Sequence, residues 1–401
     1  MKESAAPSKR LLNERGAIAL VIANTIGTGV FTTSGFALAD LGAPSLVLLA
    51  WLIGGVYALA GVAIYADLAM RFPRSGGEYV FLRQTLHPAL GTVAGWISLV
   101  AGFSSPIAAA AVGAQLYLTH AFDITLSFPW IATAVVLSLG VLHAFAPHAG
   151  VRFQNAAVLI KVLAIIVFII FGALHASQEI LPTDDAAAPK FSFLGFGSAL
   201  VWISYAYSGW NAAVYVTGEV KGGGATVHRS LYAGTLLVIA LYLGVSAVIL
   251  FSAPQSVISG VAESGAVAAY ALGGVLAERA LSSLIALALI TSASSMLVTG
   301  PRVYAQMAQD GALPSFFGRL QGEHPRAAVL TQMMLCLIII WSTSFSSLLE
   351  FVGVTLSVSS GAVVVGWLRL ELFTGSKKPR LSLLVPAFLF LFATIGIALA
   401  G

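Results

Sequence analysis

Residues 16–40 read GAIALVIANTIGTGVFTTSGFALAD, an apolar stretch long enough to cross a bilayer but interrupted halfway by Ile26-Gly27-Thr28-Gly29-Val30-Phe31. In hydrocarbon a broken helix strands amide N–H and carbonyl groups at high cost, so an interruption persists only where protein, water or a ligand satisfies them. The break is therefore a candidate binding site. Residues ahead of it end a half-helix whose carbonyls point at the gap, and those after it begin another whose N–H groups point back. The gap offers a negative and a positive pole, the pair that a zwitterion presents in return. A plain glycine kink for helix packing is the competing reading, since glycine is frequent in membrane helices.

Composition decides the class in which this break is read. With 58% hydrophobic and only 9% charged residues, the chain is no soluble domain. Windows of about 20 apolar residues place spans at 16–40, 43–70, 89–119, 129–146, 152–174, 193–217, 230–252, 269–306, 327–345, 347–370 and 381–400, eleven in all. The first has no small-residue cleavage site and more spans follow it, so it is not read as a removable signal peptide.

Lysine and arginine set the expected orientation. With the N-terminus cytoplasmic, the inner loops receive Lys2, Lys9, Arg10, Arg15, Arg71, Arg74, Arg83, Arg152, Lys221, Arg229, Arg302, Arg319, Arg326, Arg369, Lys377, Lys378 and Arg380, seventeen of the twenty basic residues. Only Lys190 and Arg279 fall outside, and Lys161 lies within a span. This asymmetry follows the positive-inside rule and puts the C-terminus outside an inner (plasma) membrane. The net charge of +4 calls for no nucleic-acid partner, because the basic residues are spread over loops and form no single stripe. Cys336 is the lone cysteine, so no intramolecular disulfide can form. The seven histidines show no metal-ligand spacing, and no nucleophile-base pair appears within a span, so neither a metal, a cofactor nor an enzyme is expected.

The most specific string closes span 2: Tyr65-Ala66-Asp67-Leu68-Ala69-Met70-Arg71-Phe72-Pro73-Arg74-Ser75-Gly76-Gly77-Glu78-Tyr79. Pro73 ends the helix and the glycine pair permits a sharp re-entry at the membrane surface. This string resembles the tyrosine-acidic-leucine and proline-x-serine-glycine-glycine-x-tyrosine signature of the amino acid-polyamine-organocation permeases. Gly27-Thr28-Gly29-Val30-Phe31 resembles their span 1 substrate motif. The run from Gly300-Pro301-Arg302 to Asp310-Gly311 at the end of span 8 is similar to them as well.

Span 5 carries Lys161, nine residues past Arg152 and hence about 14 Å deeper along a helix. A charge at such depth costs at least about 2.5–3.5 kcal/mol and marks a functional position by default; snorkelling to the headgroups is the bland alternative. Arg152-Phe153-Gln154-Asn155 followed by Lys161-Val162-Leu163-Ala164 resembles span 5 of the L-type amino acid transporters and their bacterial relatives. That resemblance implies that Lys161 reaches the unwound part of span 1, in the place of the sodium ion of sodium-coupled members, and hence sodium independence. Because burial disfavours the charged ammonium, Lys161 can also serve as a proton carrier. Ser292 and Ser295 in span 8 either face Lys161 or bond back to their own helix.

Span 6 repeats the device of span 1, with Tyr205-Ala206-Tyr207-Ser208-Gly209-Trp210-Asn211 interrupting an apolar stretch about 180 residues further on. Paired interruptions at matching places of two five-span halves point to an inverted-repeat transporter with a midplane site. The string also resembles span 6 of the L-type family. The expected fold is an all-α integral membrane protein, a 5+5 inverted-repeat (leucine-transporter-like) arrangement with about 11 transmembrane helices. Its parts are a tail at 1–15, a first repeat at 16–175, an external loop at 176–192, a second repeat at 193–371 and an added span 11 within 380–401.

Carried over residue by residue, the resemblance implies that a substrate carboxylate meets N–H groups of Thr28, Gly29 and Val30 and the Thr28 hydroxyl. It implies that the ammonium meets carbonyls of Thr25, Tyr205 and Ser208 around Ile26 and Gly27, and that Tyr205 is the outer gate. The expected activity is sodium-independent transport of neutral L-amino acids by exchange or facilitated diffusion, since no carboxylate falls within the expected pocket. Alternatives are proton symport through Lys161, a polyamine or other amine as substrate, and an amino acid-sensing receptor that does not transport. Animal L-type transporters hold a glycoprotein subunit through a cysteine between spans 3 and 4; residues 120–128 contain none, so no covalently linked subunit is expected. Residues 222–224, three glycines, read as a flexible linker.

Overall fold

The structure, a computed structural model, describes residues 12–27, 29–175, 192–318, 325–374 and 380–400. The expected site residue Thr28, the external loop at 176–191 and the side chains of Arg152 to Asn155 lie outside them.

Described residues form helices throughout, without a strand beyond one isolated bridge between Leu12 and Val220. Eight segments are long and apolar enough to span a membrane, and Trp130–Phe145 and Arg326–Ser342 are shorter apolar helices. With the interrupted pair Phe193–Tyr207 and Ala212–Glu219, these occupy all eleven expected spans.

Local chemistry sets the boundaries. Asn13 opens span 1 by accepting the Gly16 N–H at 2.9 Å, satisfying one of the free N-terminal donors. Span 2 (Pro44–Arg71) starts at a proline preceded by Gly42 with φ 66°, where the missing N–H of proline costs nothing. Span 3 runs over Pro88–Ala121, and its ladder widens to π geometry over Ser98–Ser104 just ahead of Pro106. Proline supplies no N–H and crowds the carbonyl one turn back, so the helix absorbs it with a wider turn.

Packing follows the repeat. The second half of span 1 (Gly29–Leu41) lies on the first half of span 6 (Phe193–Tyr207). Span 2 lies along span 7 (Gly223–Ser252), span 3 along span 8 (Ser264–Gln309), and span 4 (Trp130–Phe145) along span 9 (Arg326–Ser342). Each of the first four spans thus meets the span five further on. Span 10 (Phe345–Arg369) packs on both spans 3 and 6, and span 11 (Leu381–Ala400) rests on spans 2 and 10.

Three local readings are corrected. The break in span 1 is tighter than six residues, because helix resumes at Gly29 and already includes Val30 and Phe31. Span 8 is longer than expected and kinks at Gly273 and Gly274. The three glycines at 222–224 are no loose linker: Gly222 turns with φ 86°, span 7 begins at Gly223, and a side chain on Gly224 would strike the Ala69 carbonyl.

Candidate functional site

The two interruptions face one another. Span 1 stops at Thr25 and resumes at Gly29; span 6 stops at Tyr207 and resumes, in the tighter 3-10 form, at Ala212. Two glycines permit the approach, each against the other segment. A methyl group on Gly29 would collide with the backbone of Ala206, and one on Gly209 would lie 2.6 Å from the Asn24 carbonyl oxygen. Gly209 also has φ 98°, a conformation strained for any side chain.

The stranded carbonyls are satisfied in specific ways. Tyr242 of span 7 donates its hydroxyl to the Thr25 carbonyl at 2.6 Å and stands 3.0 Å from that of Ala206. The Tyr205 carbonyl takes the Ser208 N–H at 2.9 Å. A carbonyl oxygen has two lone pairs, so the Thr25 carbonyl can take a second donor beside the Tyr242 hydroxyl. Lys161 is buried and donates Nζ to the Ile26 carbonyl at 2.8 Å and more distantly to that of Ala23. Lys161 Nζ thus lies against the last carbonyls before the break in span 1.

A small cavity opens between the breaks, bordered by Thr25, Gly27, Gly29, Tyr205, Ser208 and Ser292 together with Asn24, Pro106, Ala110, Ala206 and Met296. None of these side chains is charged. Ile26 and Val30 are fully buried beside it. The two serines differ in role: Ser292 borders the cavity with an unpartnered hydroxyl near Gly27, whereas Ser295 accepts the Asn24 amide at 2.7 Å. The structure records no hydrogen bond from Lys161 to either.

Sequence reasoning missed Tyr242 and Asn24. Asn24 was visible as a polar residue within an apolar span directly ahead of the break; Tyr242 carried no signal, being one aromatic among many. As expected, no carboxylate borders the pocket between the breaks among the described residues. Glu78 of the re-entrant helix Glu78–Thr85 lines a neighbouring cavity that shares Asn24, Pro106, Ser208 and Met296 with the first.

The permease-like strings prove to be one structural unit at the face where most basic residues gather. A side chain on Gly77 (φ 55°) would collide with the Tyr215 ring, and Ser75 Oγ accepts the Gly218 N–H at 3.1 Å. Asp310, at the end of span 8, accepts from Arg74 at 2.8 Å and Tyr79 at 3.0 Å. At the same face Arg302 clasps Glu219 at 2.6 Å, Arg229 holds Glu14, and Leu12 exchanges backbone hydrogen bonds with Glu219 and Lys221. The start of span 1 is therefore stitched to the end of span 6. On the opposite face, Ser264 and Tyr117 donate to the Phe31 carbonyl at 2.7 and 3.0 Å, and the Gly260 N–H reaches Gly35 O at 2.8 Å.

Two discontinuous spans meeting around a shared pocket define the class as a membrane transporter of the 5+5 inverted-repeat, leucine-transporter-like fold. The chain is similar over its whole length, with a TM-score of 0.63 at 14% identity, to 94% of MHP1, a nucleobase-cation-symport-1 family transporter solved in a closed conformation with bromovinylhydantoin bound. The model of the amino acid permease family matches residues 12–400, and the chain belongs to that family, within the amino acid-polyamine-organocation superfamily. It is 28% identical to the serine/threonine exchanger SteT of Bacillus subtilis over 77% of this chain and 70% of that protein. It is 25% identical to the rat large neutral amino acids transporter small subunit 2, over 94% of this chain and 73% of the relative. The branched-chain amino acid permease BcaP of Lactococcus lactis is 25% identical over 94% of this chain and 86% of the relative. The protein is a multi-pass transporter and not an enzyme.

Proposed function

We propose that the protein carries neutral L-amino acids across the membrane by sodium-independent alternating access, as an exchanger or facilitator. The observation that carries this reading is the uncharged pocket between two facing breaks, with Lys161 Nζ on the Ile26 carbonyl where a cation would otherwise be needed. The substrate carboxylate would meet N–H groups of Thr28, Gly29 and Val30, its ammonium the carbonyls of Thr25, Tyr205 and Ser208, and Tyr205 would close over it. The names of the relatives, a serine/threonine exchanger, a large neutral amino acid transporter and a branched-chain permease, support the neutral substrate class.

In this reading the two repeats are residues 16–175 and 193–371, span 11 stands outside them, and the face rich in arginine is cytoplasmic. That gives a cytoplasmic N-terminus and an external C-terminus in the inner membrane. Alternating access then requires the Arg302–Glu219 and Arg229–Glu14 pairs and the Leu12 stitch to part when the pocket opens inward. No covalently attached glycoprotein subunit is proposed, because residues 120–128 lack cysteine and Cys336 is buried.

The test is uptake of a labelled neutral amino acid into liposomes, with and without sodium and with and without internal substrate. Uptake indifferent to sodium supports the reading, and sodium-dependent accumulation overturns it. A need for internal substrate selects exchange. One observation favours proton symport as a second reading: among the described residues no carboxylate pairs with Lys161. Uptake that follows an imposed pH gradient, and loses that dependence in Lys161→Ala, selects it.

A further inference from the structure

Two buried carboxylates stand eleven residues apart on either side of the turn at Pro73, and they are treated in opposite ways. Asp67, 2% exposed, is paired with Arg71 at 2.7 Å and with Arg380, and accepts the Trp367 indole N–H at 2.8 Å. Glu78, 4% exposed, has no basic partner among the described residues. Its Oε1 accepts from Asn211 Nδ2 at 2.6 Å and the Tyr65 hydroxyl at 3.0 Å. Beside these neutral donors only the Tyr215 phenol approaches the carboxylate among the described residues.

This carboxylate, held by neutral donors alone among the described residues, borders a cavity whose wall includes Tyr57, Phe103, Trp210, Tyr215 and Ser357. The cavity adjoins the pocket between the breaks and shares four residues of its wall. Glu78 directly follows the loop that carries Arg74, so the cavity extends from that pocket toward the basic face. A carboxylate withdrawn from water without a cation is costly, and an arriving cation removes the cost. Aromatic faces around it attract an organic cation further. A buried carboxylate without a counter-charge in an aromatic-walled cavity is the chemistry of an ammonium site.

We propose that Glu78 forms a second substrate subsite, which takes the ammonium group of the amino acid after it leaves the two breaks and before it reaches the basic face. The inference rests on the transport reading above and extends it with an intermediate resting point on the exit path. Neutral substrates use it as readily as charged ones, because every amino acid carries the ammonium.

The probe is n-butylamine, a primary ammonium at neutral pH without the carboxylate that the breaks require. Calorimetric titration of the purified full-length protein should show butylammonium binding that Glu78→Gln weakens at least tenfold and Glu78→Asp largely retains. In liposomes Glu78→Gln should slow labelled amino acid uptake. Should Glu78→Gln fail to fold, Ser357→Trp, which fills the cavity from span 10, should produce the same loss of butylammonium binding. Equal binding by wild type and Glu78→Gln, or none by wild type, overturns the proposal. So does a Glu78→Gln variant altered only in the pH dependence of uptake, which would make the residue a proton site. Failure of the transport reading itself would appear separately, as absent amino acid uptake by a wild-type protein that still binds the amine.

Discussion

Spans 1 and 6 are interrupted at corresponding places, yet they meet the same physical demand by different means. In span 1 the Ile26 carbonyl at the break is held by an ammonium delivered from span 5; beyond the break the chain resumes as regular α-helix. In span 6 the break is folded on itself, with Ser208 bonded back to Tyr205 and Gly209 in the left-handed region. The chain then continues as a 3-10 segment whose Glu219 is pinned by Arg302. One break is thus satisfied by a side chain from a distant span and the other largely by its own backbone. Tyr242 is the common element, bridging a carbonyl of each.

The largest expected effect tests whether the two breaks truly meet. Gly29→Val and Gly209→Ala each push a side chain into the other segment, an overpacking cost of roughly 3 kcal/mol or more. Binding of a labelled neutral amino acid to the purified variants should fall below detection; unchanged affinity in either would place the ligand elsewhere. Next comes the donor special to span 1. Lys161→Ala leaves the buried Ile26 carbonyl without its partner, a loss of about 1–3 kcal/mol, and should cut liposome uptake at least about tenfold. If Lys161→Ala costs no more than a lipid-facing control substitution, the contrast between the breaks fails.

Tyr242→Phe removes one hydroxyl from both breaks and should weaken substrate affinity by about tenfold, the equivalent of roughly 1–1.5 kcal/mol for a buried hydrogen bond. A double-mutant cycle with Lys161→Ala sharpens the point: coupling above about 0.5 kcal/mol shows that the two donors act on one segment, and strict additivity shows that they do not. The smallest effect belongs to the pinned end of span 6. Arg302→Gln should lower stability by only about 0.5–1 kcal/mol, since the pair is partly solvated, read as a small fall in the thermal midpoint with substrate affinity preserved.

Much of this was legible along the chain. Interrupted apolar spans, the lysine in span 5 and the proline-glycine re-entry after span 2 each break a strong local rule, and broken rules in hydrocarbon are conspicuous. Contacts that obey the rules were invisible. Tyr242 is an ordinary aromatic in an ordinary apolar helix, and only the folded chain aims its hydroxyl at two carbonyls. Glu78 stands within a loop motif, where a carboxylate at a membrane surface excites no suspicion; the re-entrant helix that Gly76 and Gly77 permit turns it inward to 4% exposure.

The sequence by itself determined that the chain crosses a membrane as helices, which stretches form them, and that two of them fail midway. It could do so because hydropathy, proline and glycine act on the chain locally, within a turn or two. The tertiary structure decided which groups satisfy the failures and which remain unsatisfied. Those outcomes depend on the approach of segments far apart in the chain, such as Gly29 to Ala206 and Asn211 to Glu78, and no local property of either partner encodes the distance between them.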